Sequence, residues 1–300
     1  MAPKDRSDGQ EAIRSGKGPS DGYKHEMKDC INDKYILNGQ IVPCDSFDPR
    51  YLIEGFSVYE VIRVIGGRYL FIDDHLRRLE STRKISSLSK GPDPSELKKQ
   101  LHSLVEANNH ADGNVKLVIN YRGARIFCFM MYYIPHRYPS AKEYSRGVRL
   151  VSRQFIRQDP HKKIWRQEFR EKVGQIISSE KVWDVLLVNE EGSISEASKA
   201  NIFFFRGDIL YTPPVTLVLP GITRRYIFSL CEQLHIILYE ETVPYSKLDS
   251  FDAVFITGTS PKVLPVSQID HMRFPVSHEL MTTLMKAYDR LISEYFFNTF

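Results

Sequence analysis

The sequence predicts an α+β protein in two parts, a small N-terminal domain over 34–140 and a larger C-terminal one over 141–300. Three observations lead there. The 300-residue chain is too long for one small core. Strand signals and helix signals are mixed in both halves. Between Pro135 and Glu143 a loop-like stretch of Pro, Tyr, Ser and Lys interrupts the pattern.

The elements follow in order. Residues 1–33 hold Gly, Ser and charge with almost nothing to bury, and read as an unstructured tail, native or appended. "KYILNGQIVPCD" reads as a hairpin of Tyr35–Leu37 and Gln40–Val42 about an Asn-Gly turn. "SVYEVIRVIGGRYLFI" repeats the form, with Gly66-Gly67 between Val58–Val64 and Tyr69–Ile72. A helix capped by Asp74 follows, then a second over Pro94–Asn108 with proline in its first turn. "VKLVIN" and "RIFCFMMYYIP" are two further strands. The C-terminal part supplies strands Val148–Val151, Asp184–Val188, Ile202–Phe205, Ile209–Tyr211, Ile236–Tyr239 and Ala253–Thr257. Its helices are Trp165–Lys181, Ile222–Gln233 and Ser277–Tyr295.

Composition narrows the function. An apolar fraction of 42% and a charged fraction of 26% are those of a soluble globular protein. The net charge of +4 is mild, and no basic run is interleaved with aromatics, which argues against a nucleic-acid partner. None of the four cysteines forms a C-x-x-C pair, so no metal site is expected and the thiols read as reduced and mostly buried. No apolar run approaches the roughly 20 residues of a membrane span, and the cytoplasm is the expected location.

Four places could carry chemistry. In "LPGITRRYIF", Gly221 leads into an apolar helix, so Ile222 and Thr223 fall on a first turn whose backbone N–H groups suit an anion. In "FITGTSPKVLPV", a hydroxyl-rich turn with Thr259 and Ser260 ends a strand and could wrap a phosphate. In "DDHLRRLEST", Arg77 and Arg78 point in different directions on a helix, so at least one could face inward. In "DPHKKIWRQEF", Lys162 and Lys163 stand beside Trp165, where a lowered pKa would make a nucleophilic amine. Read alone, each is more often a routine helix start, loop, solvated arginine pair or surface turn. A fifth segment, "EGSISEASKANIFFF", reads as a polar turn entering a strand, with the carboxylate of Glu196 left unexplained. Together they describe one ligand. Anion turns and an arginine suit a phosphate, a lysine suits an aldehyde, and a lone carboxylate suits a protonated ring nitrogen. Pyridoxal phosphate has all three groups.

The blocks "ILNGQIVP", "GFSVYEVIRVIGGRYLFIDDHLRRL", "DVLLVNEEGSISEASKANIFF" with "LYTPPVTLVLPGITR", and "TGTSPKVLPV" resemble, in that order, the class IV aminotransferases. These are the fold-type IV pyridoxal-phosphate enzymes: branched-chain aminotransferases, D-amino-acid aminotransferases and aminodeoxychorismate lyase. The resemblance runs from Tyr35 to Val266 and implies their two-domain fold and a homodimer. It implies that Arg78, Ile222, Thr223, Thr259 and Ser260 hold the phosphate, that Glu196 pairs with the pyridine nitrogen, and that Tyr59 is the aromatic residue at the substrate. The family's spacing selects Lys163, 33 residues before Glu196, as the Schiff-base lysine, with Lys162 one residue out of register as the alternative. Arg166 departs from the asparagine the family often has there.

The implied reaction is transamination between an amino acid and a 2-oxo acid, with the branched-chain type as one candidate. Aminodeoxychorismate lyase activity and a catalytically degenerate cofactor-binding homologue are the alternatives. No Walker A or G-x-G-x-x-G element follows a strand, which weakens a nucleotide-binding reading. Near "VKLVINYRG" there is no Arg-x-His pair of the D-amino-acid enzymes, and Lys116 and Arg122 could each meet a substrate carboxylate.

Overall fold

The computed structural model describes residues 29–156 and 158–298. The expectation for residues 1–28 lies outside these. The first strand among the described residues is Ile31–Leu37, which starts a little before the expected Lys34. Its earlier start is fixed by pairing of Ile31 with Tyr133 and by a disulfide joining the buried Cys30 to Cys44, Cα atoms 5.9 Å apart. The expectation of four reduced thiols is therefore corrected. Cys128 and Cys231 remain free and buried, and burial pushes their thiols up to about 11 and about 12.

Two sheets make an α+β fold. The N-terminal one is antiparallel throughout, in the order Gln40–Pro43, Ile31–Leu37, Arg125–Ile134, Gly113–Arg122, Phe56–Ile65, Arg68–Tyr69. Its first hairpin turns on Asn38 and Gly39, both at positive φ (50° and 85°), the type I′ geometry that Asn-Gly favours. The C-terminal sheet runs Ile237–Glu240, Ile209–Thr212, Asn201–Arg206, Ala253–Gly258, Lys262–Ile269, Val148–Gln154, Asp184–Val188, Ser193–Ala197, Val243–Pro244, with Met272–Arg273 beside Lys262–Ile269.

The central strands of this second sheet are covered on both faces. Phe203, Phe205 and Phe255 point to one core, with the helices Ile222–Gln233 and Glu279–Asn298 packed over it. Ile202, Phe204, Val254 and Ile256 point to the other. That is why these strands read as continuous apolar runs rather than alternating ones. Leu70 and Phe71, from the N-terminal half, belong to the first of these cores, so the two halves share buried surface.

Several expected elements shift. The helix after the second hairpin starts at Ile72, not at Asp74, and Phe71 occupies its cap position in the left-handed region (φ 53°) with no side-chain cap. Asp74 does not cap it. Its carboxylate instead meets Arg77, Arg225 and the Tyr226 hydroxyl. The predicted strand Tyr69–Ile72 shrinks to Arg68–Tyr69. Inside the expected loop 135–143 begins a short helix, Ala141–Arg146, entered through a reciprocal Ser140–Glu143 capping box. The strand Lys262–Ile269 was not expected, and neither was Ser193–Ala197. No helix among the described residues is long and apolar enough to cross a membrane.

Phe255 stacks on Phe203, ring centroids 5.0 Å apart and planes within 4°, and lies under Phe205. Phe255→Ala should cost about 3–5 kcal/mol, read as a lower urea midpoint. A midpoint equal to wild type would show that this layer does not hold the sheet to its helices.

Candidate functional site

The site begins at an exposed sheet edge. Along Phe56–Ile65 the strand Gly113–Arg122 pairs on one side, while on the other Arg68–Tyr69 reaches only Val64 and Ile65. The uncovered edge at Ser57–Tyr59 is taken by the segment after residue 162. Tyr59 N–H donates to the Lys163 carbonyl (3.1 Å), Trp165 N–H donates to the Ser57 carbonyl (2.9 Å), and Val58 bridges Ile164. Lys163 N–H donates to the hydroxyl of buried Thr82 (3.3 Å). Lys163 therefore sits in a strand-like linker, and the helix predicted from Trp165 begins at Gln167. The Lys163 amine lies 4.9 Å from the centre of the Tyr59 ring. Burial pushes this amine below the ordinary lysine range. The Arg78 and Arg170 guanidiniums add to that, against the opposing influence of Tyr59 and Glu60.

Arg78 faces inward and Arg77 faces solvent, as their helical spacing requires. Arg78 Nε and Nη2 donate to the two oxygens of Glu60 (2.8 and 2.6 Å), and Nη1 donates to the Pro220 carbonyl (3.2 Å). Glu60 is fully buried and also accepts from His75 Nδ1 (2.8 Å). Burial alone would raise its carboxyl, but the Arg78 charge and these hydrogen bonds outweigh it and hold the pKa at about 2. Burial lowers His75, so the ring is neutral with its proton on Nδ1. Glu60 was not anticipated, because in "GFSVYEVIR" it looks like any polar residue on a strand.

Across from Lys163 stands Glu196, on the strand Ser193–Ala197 rather than in a polar turn. It is buried and accepts from Asn201 Nδ2 (3.0 Å) and Leu219 N–H (3.2 Å). The turn that follows is held from beneath by buried Asp184, which accepts from Ser198 Oγ and from the Lys199 N–H (3.1 Å). Gly221 precedes the helix Ile222–Gln233. A Cβ there would fall 2.0 Å from Asn201 Oδ1, so only glycine lets the helix start come this close to the Glu196 network.

These residues line one cavity, with Arg78, Lys163, Glu196, Ile222, Thr223 and Thr259 on its wall. Tyr59 adjoins it through Lys163 and through Arg170, another wall residue, whose Nη2 donates to the Tyr59 hydroxyl (2.8 Å). Ser260 is not among the lining residues. Its hydroxyl accepts from Asn114 Nδ2 (2.7 Å). Lys162 pairs with Asp159 (3.1 Å), outside the cavity. Arg166, the departure from the family pattern, pairs with the same Asp159 (3.1 Å) and does not reach the wall. Arg122 is half exposed, paired with Glu54 (2.6 Å) and off the cavity wall. Lys116 is buried over the Trp165 ring, 3.3 Å from its centre, and burial lowers its pKa to about 8.

The cavity suits a phosphorylated ring with an aldehyde. The helix start at Gly221 has no side-chain cap, so its first N–H groups are available to an anion. The Thr223 hydroxyl accepts from Tyr288 (3.3 Å) and keeps its own proton to donate. The buried Thr257 hydroxyl, on the same wall, has no hydrogen-bond partner among the described residues. An amine, a carboxylate and an anion cradle thus face one space.

The chain resembles known proteins over most of its length. The family described as "Amino-transferase class IV" matches residues 57–269. A D-alanine aminotransferase of Bacillus licheniformis is 29% identical over 79% of this chain and 88% of its own length. A probable branched-chain-amino-acid aminotransferase of Rickettsia bellii is 24% identical over 85% and 95%. The structure of a branched-chain amino acid aminotransferase from Thermobaculum terrenum in its PLP form superposes with a TM-score of 0.75 at 21% identity, over 87% of this chain and 94% of that one.

The Glu60 cluster makes a pH prediction. The folded-state pKa lies at about 2 against an ordinary 4.5, so the unfolded chain binds more protons between these values and stability rises with pH there. The contribution is complete above 4.5 and lost as pH falls through about 2, roughly 3 kcal/mol for a depression of that size. Glu60→Gln should lower the urea midpoint at pH 6 and flatten its slope between pH 2 and 4.5. An unchanged slope would show that Glu60 titrates normally.

Proposed function

Because this chain belongs to the class IV amino-transferases, a pyridoxal-phosphate-dependent family, we propose that it moves the amino group of an α-amino acid of the branched-chain type to a 2-oxo acid, with Lys163 as the reacting amine. The observation that carries this reading is the single cavity walled by the Lys163 amine, the Glu196 carboxylate and the uncapped helix start at Gly221.

Bound pyridoxal phosphate supplies an aldehyde for imine exchange and a protonated ring that withdraws electrons from the substrate's α-carbon. Everything else falls to the chain. The N–H groups of Ile222 and Thr223, the hydroxyls of Thr223 and Thr259, and Arg78 would hold the phosphate, with Glu60 fixing the guanidinium so that its two uncommitted Nη hydrogens keep one direction. Glu196, kept in place by Asn201 and the Leu219 N–H, would hold a proton on the ring nitrogen. Lys163, its amine more easily neutral because it is buried, would take the proton from the α-carbon and deliver it to the cofactor's C4′, on the far side of the nitrogen. Tyr59 would flank the substrate.

The branched-chain assignment is supported by relatives of that name and by the strand Gly113–Arg122, which carries no Arg-x-His pair. Against the degenerate-homologue alternative, Arg166 pairs with Asp159 off the cavity. A cytoplasmic homodimer belongs to the same reading and rests on the likeness to the family.

Lys163→Ala should abolish retention of cofactor mass on the protein after borohydride reduction, while Lys162→Ala retains it. The reverse result would move the reacting amine by one residue. Glu196→Gln keeps the shape of the carboxylate without its charge. Turnover of valine with 2-oxoglutarate should fall roughly tenfold or more, with cofactor affinity changed far less. Wild-type turnover in this variant would remove the role given to Glu196.

A further inference from the structure

The charges along the cavity wall do not balance evenly. Arg78 is matched by Glu60, and Glu196 would be matched by the ring proton. Arg170 has no such partner. It lines the same cavity as Lys163, it is partly buried, and it makes no ion pair with any carboxylate among the described residues. Its contacts are a carbonyl and a hydroxyl: Nη1 donates to the Ser198 carbonyl (3.2 Å) and Nη2 to the Tyr59 hydroxyl (2.8 Å). Two of the guanidinium's five N–H groups are thereby fixed, which sets its plane and leaves three to donate. The anchors come from opposite sides, Tyr59 from the N-terminal sheet and Ser198 from the turn seated on Asp184. A guanidinium held this way at a cavity wall lacks only the planar anion whose two oxygens match its fork.

We propose that Arg170, oriented by Tyr59 and Ser198, binds the α-carboxylate of the substrate and so selects amino acids and 2-oxo acids over simple amines and aldehydes. This rests on the functional reading above and adds a recognition residue to it. Tyr59 then acts twice, its phenol holding the fork while its ring flanks the reacting amine.

The test is binding rather than turnover. 3-Methylbutanoate and its uncharged counterpart 3-methylbutanamide are titrated calorimetrically into the cofactor-loaded protein, as wild type, Arg170→Gln and Arg170→Lys. The carboxylate should bind Arg170→Gln about ten- to a hundredfold more weakly than wild type, the span of a charge-assisted contact. The amide should bind all three alike, and Arg170→Lys should recover part of the loss because the charge is kept. Equal weakening of both probes would show that Arg170 only holds the wall together and overturns the proposal. So would a displaced cofactor absorbance with carboxylate affinity unchanged, which would put the guanidinium on the cofactor. Wild-type carboxylate affinity in Arg170→Gln overturns this inference alone, whereas a protein that takes up no pyridoxal phosphate overturns the functional reading with it.

Discussion

Two backbone hydrogen bonds, Tyr59 N–H to Lys163 O and Trp165 N–H to Ser57 O, fasten the lysine's own segment to an edge that the N-terminal sheet leaves uncovered. An uncovered strand edge is ordinarily a liability, because its N–H and C=O groups invite pairing with another chain. Here the chain closes it with three of its own residues, and the closure fixes the geometry of the site. It pins Lys163 against Tyr59 and places the start of the helix Gln167–Glu180 so that Arg170 can reach back across Tyr59. Side chains on a helix lean toward its N-terminus, so a residue one turn in is well placed to cover the turn before it. The position of Lys163 therefore depends on a ladder and not on the loop that precedes it.

Electrostatics build on that frame. A buried carboxylate is costly unless paired and hydrogen-bonded, and Glu60 meets both conditions through Arg78 and His75. The arrangement also restricts Arg78: three of its N–H groups are committed within the protein, and its side chain is held on the cavity wall that the helix start at Gly221 shares. A long, flexible side chain is thus set before any anion arrives, which lowers the ordering cost of binding one. Asp184 does the same on the other side at the level of backbone, seating the Ser198–Lys199 turn whose carbonyl orients Arg170.

What could be read in the sequence was what is decided locally. The helix Ile222–Gln233 and the strand Asp184–Val188 stand where expected, because a leading glycine, helical periodicity and a bounded β-branched run are short-range signals. The strand Lys262–Ile269 escaped because Pro265 argues against a central strand, yet Phe255 pairs opposite it inside the sheet. Ser193–Ala197 escaped because most of its residues are polar; it is buried between the neighbouring strand Asp184–Val188 and Val243–Pro244, which lies far along the chain and leaves no local cue. The site shows the same division. Motif order singled out Arg78, Glu196 and Thr223, which the structure brings to one cavity wall. Glu60 was not singled out, since its meaning lies in an arginine on another element. Arg170 reads as one more helix-surface charge until Tyr59 is seen beside it. Ser260 stands one residue beyond the cavity wall at Thr259, because a turn of adjacent hydroxyls does not say which of them faces the space.

The two lysines around Tyr59 show why a lowered pKa alone would not have identified the reacting amine. Lys116 and Lys163 approach that ring to 5.3 and 4.9 Å, and burial lowers both. By titration alone each is a candidate nucleophile. Their surroundings separate them. Lys116 is stacked over Trp165 and enclosed by Tyr59 and Tyr132, where attraction between the cation and the rings favours the charged, unreactive form. Lys163 opens onto the cavity that Glu196 and the Gly221 helix start also face. An amine reacts only where an electrophile can reach it, so access to a space with the complementary groups on its other walls decides between them.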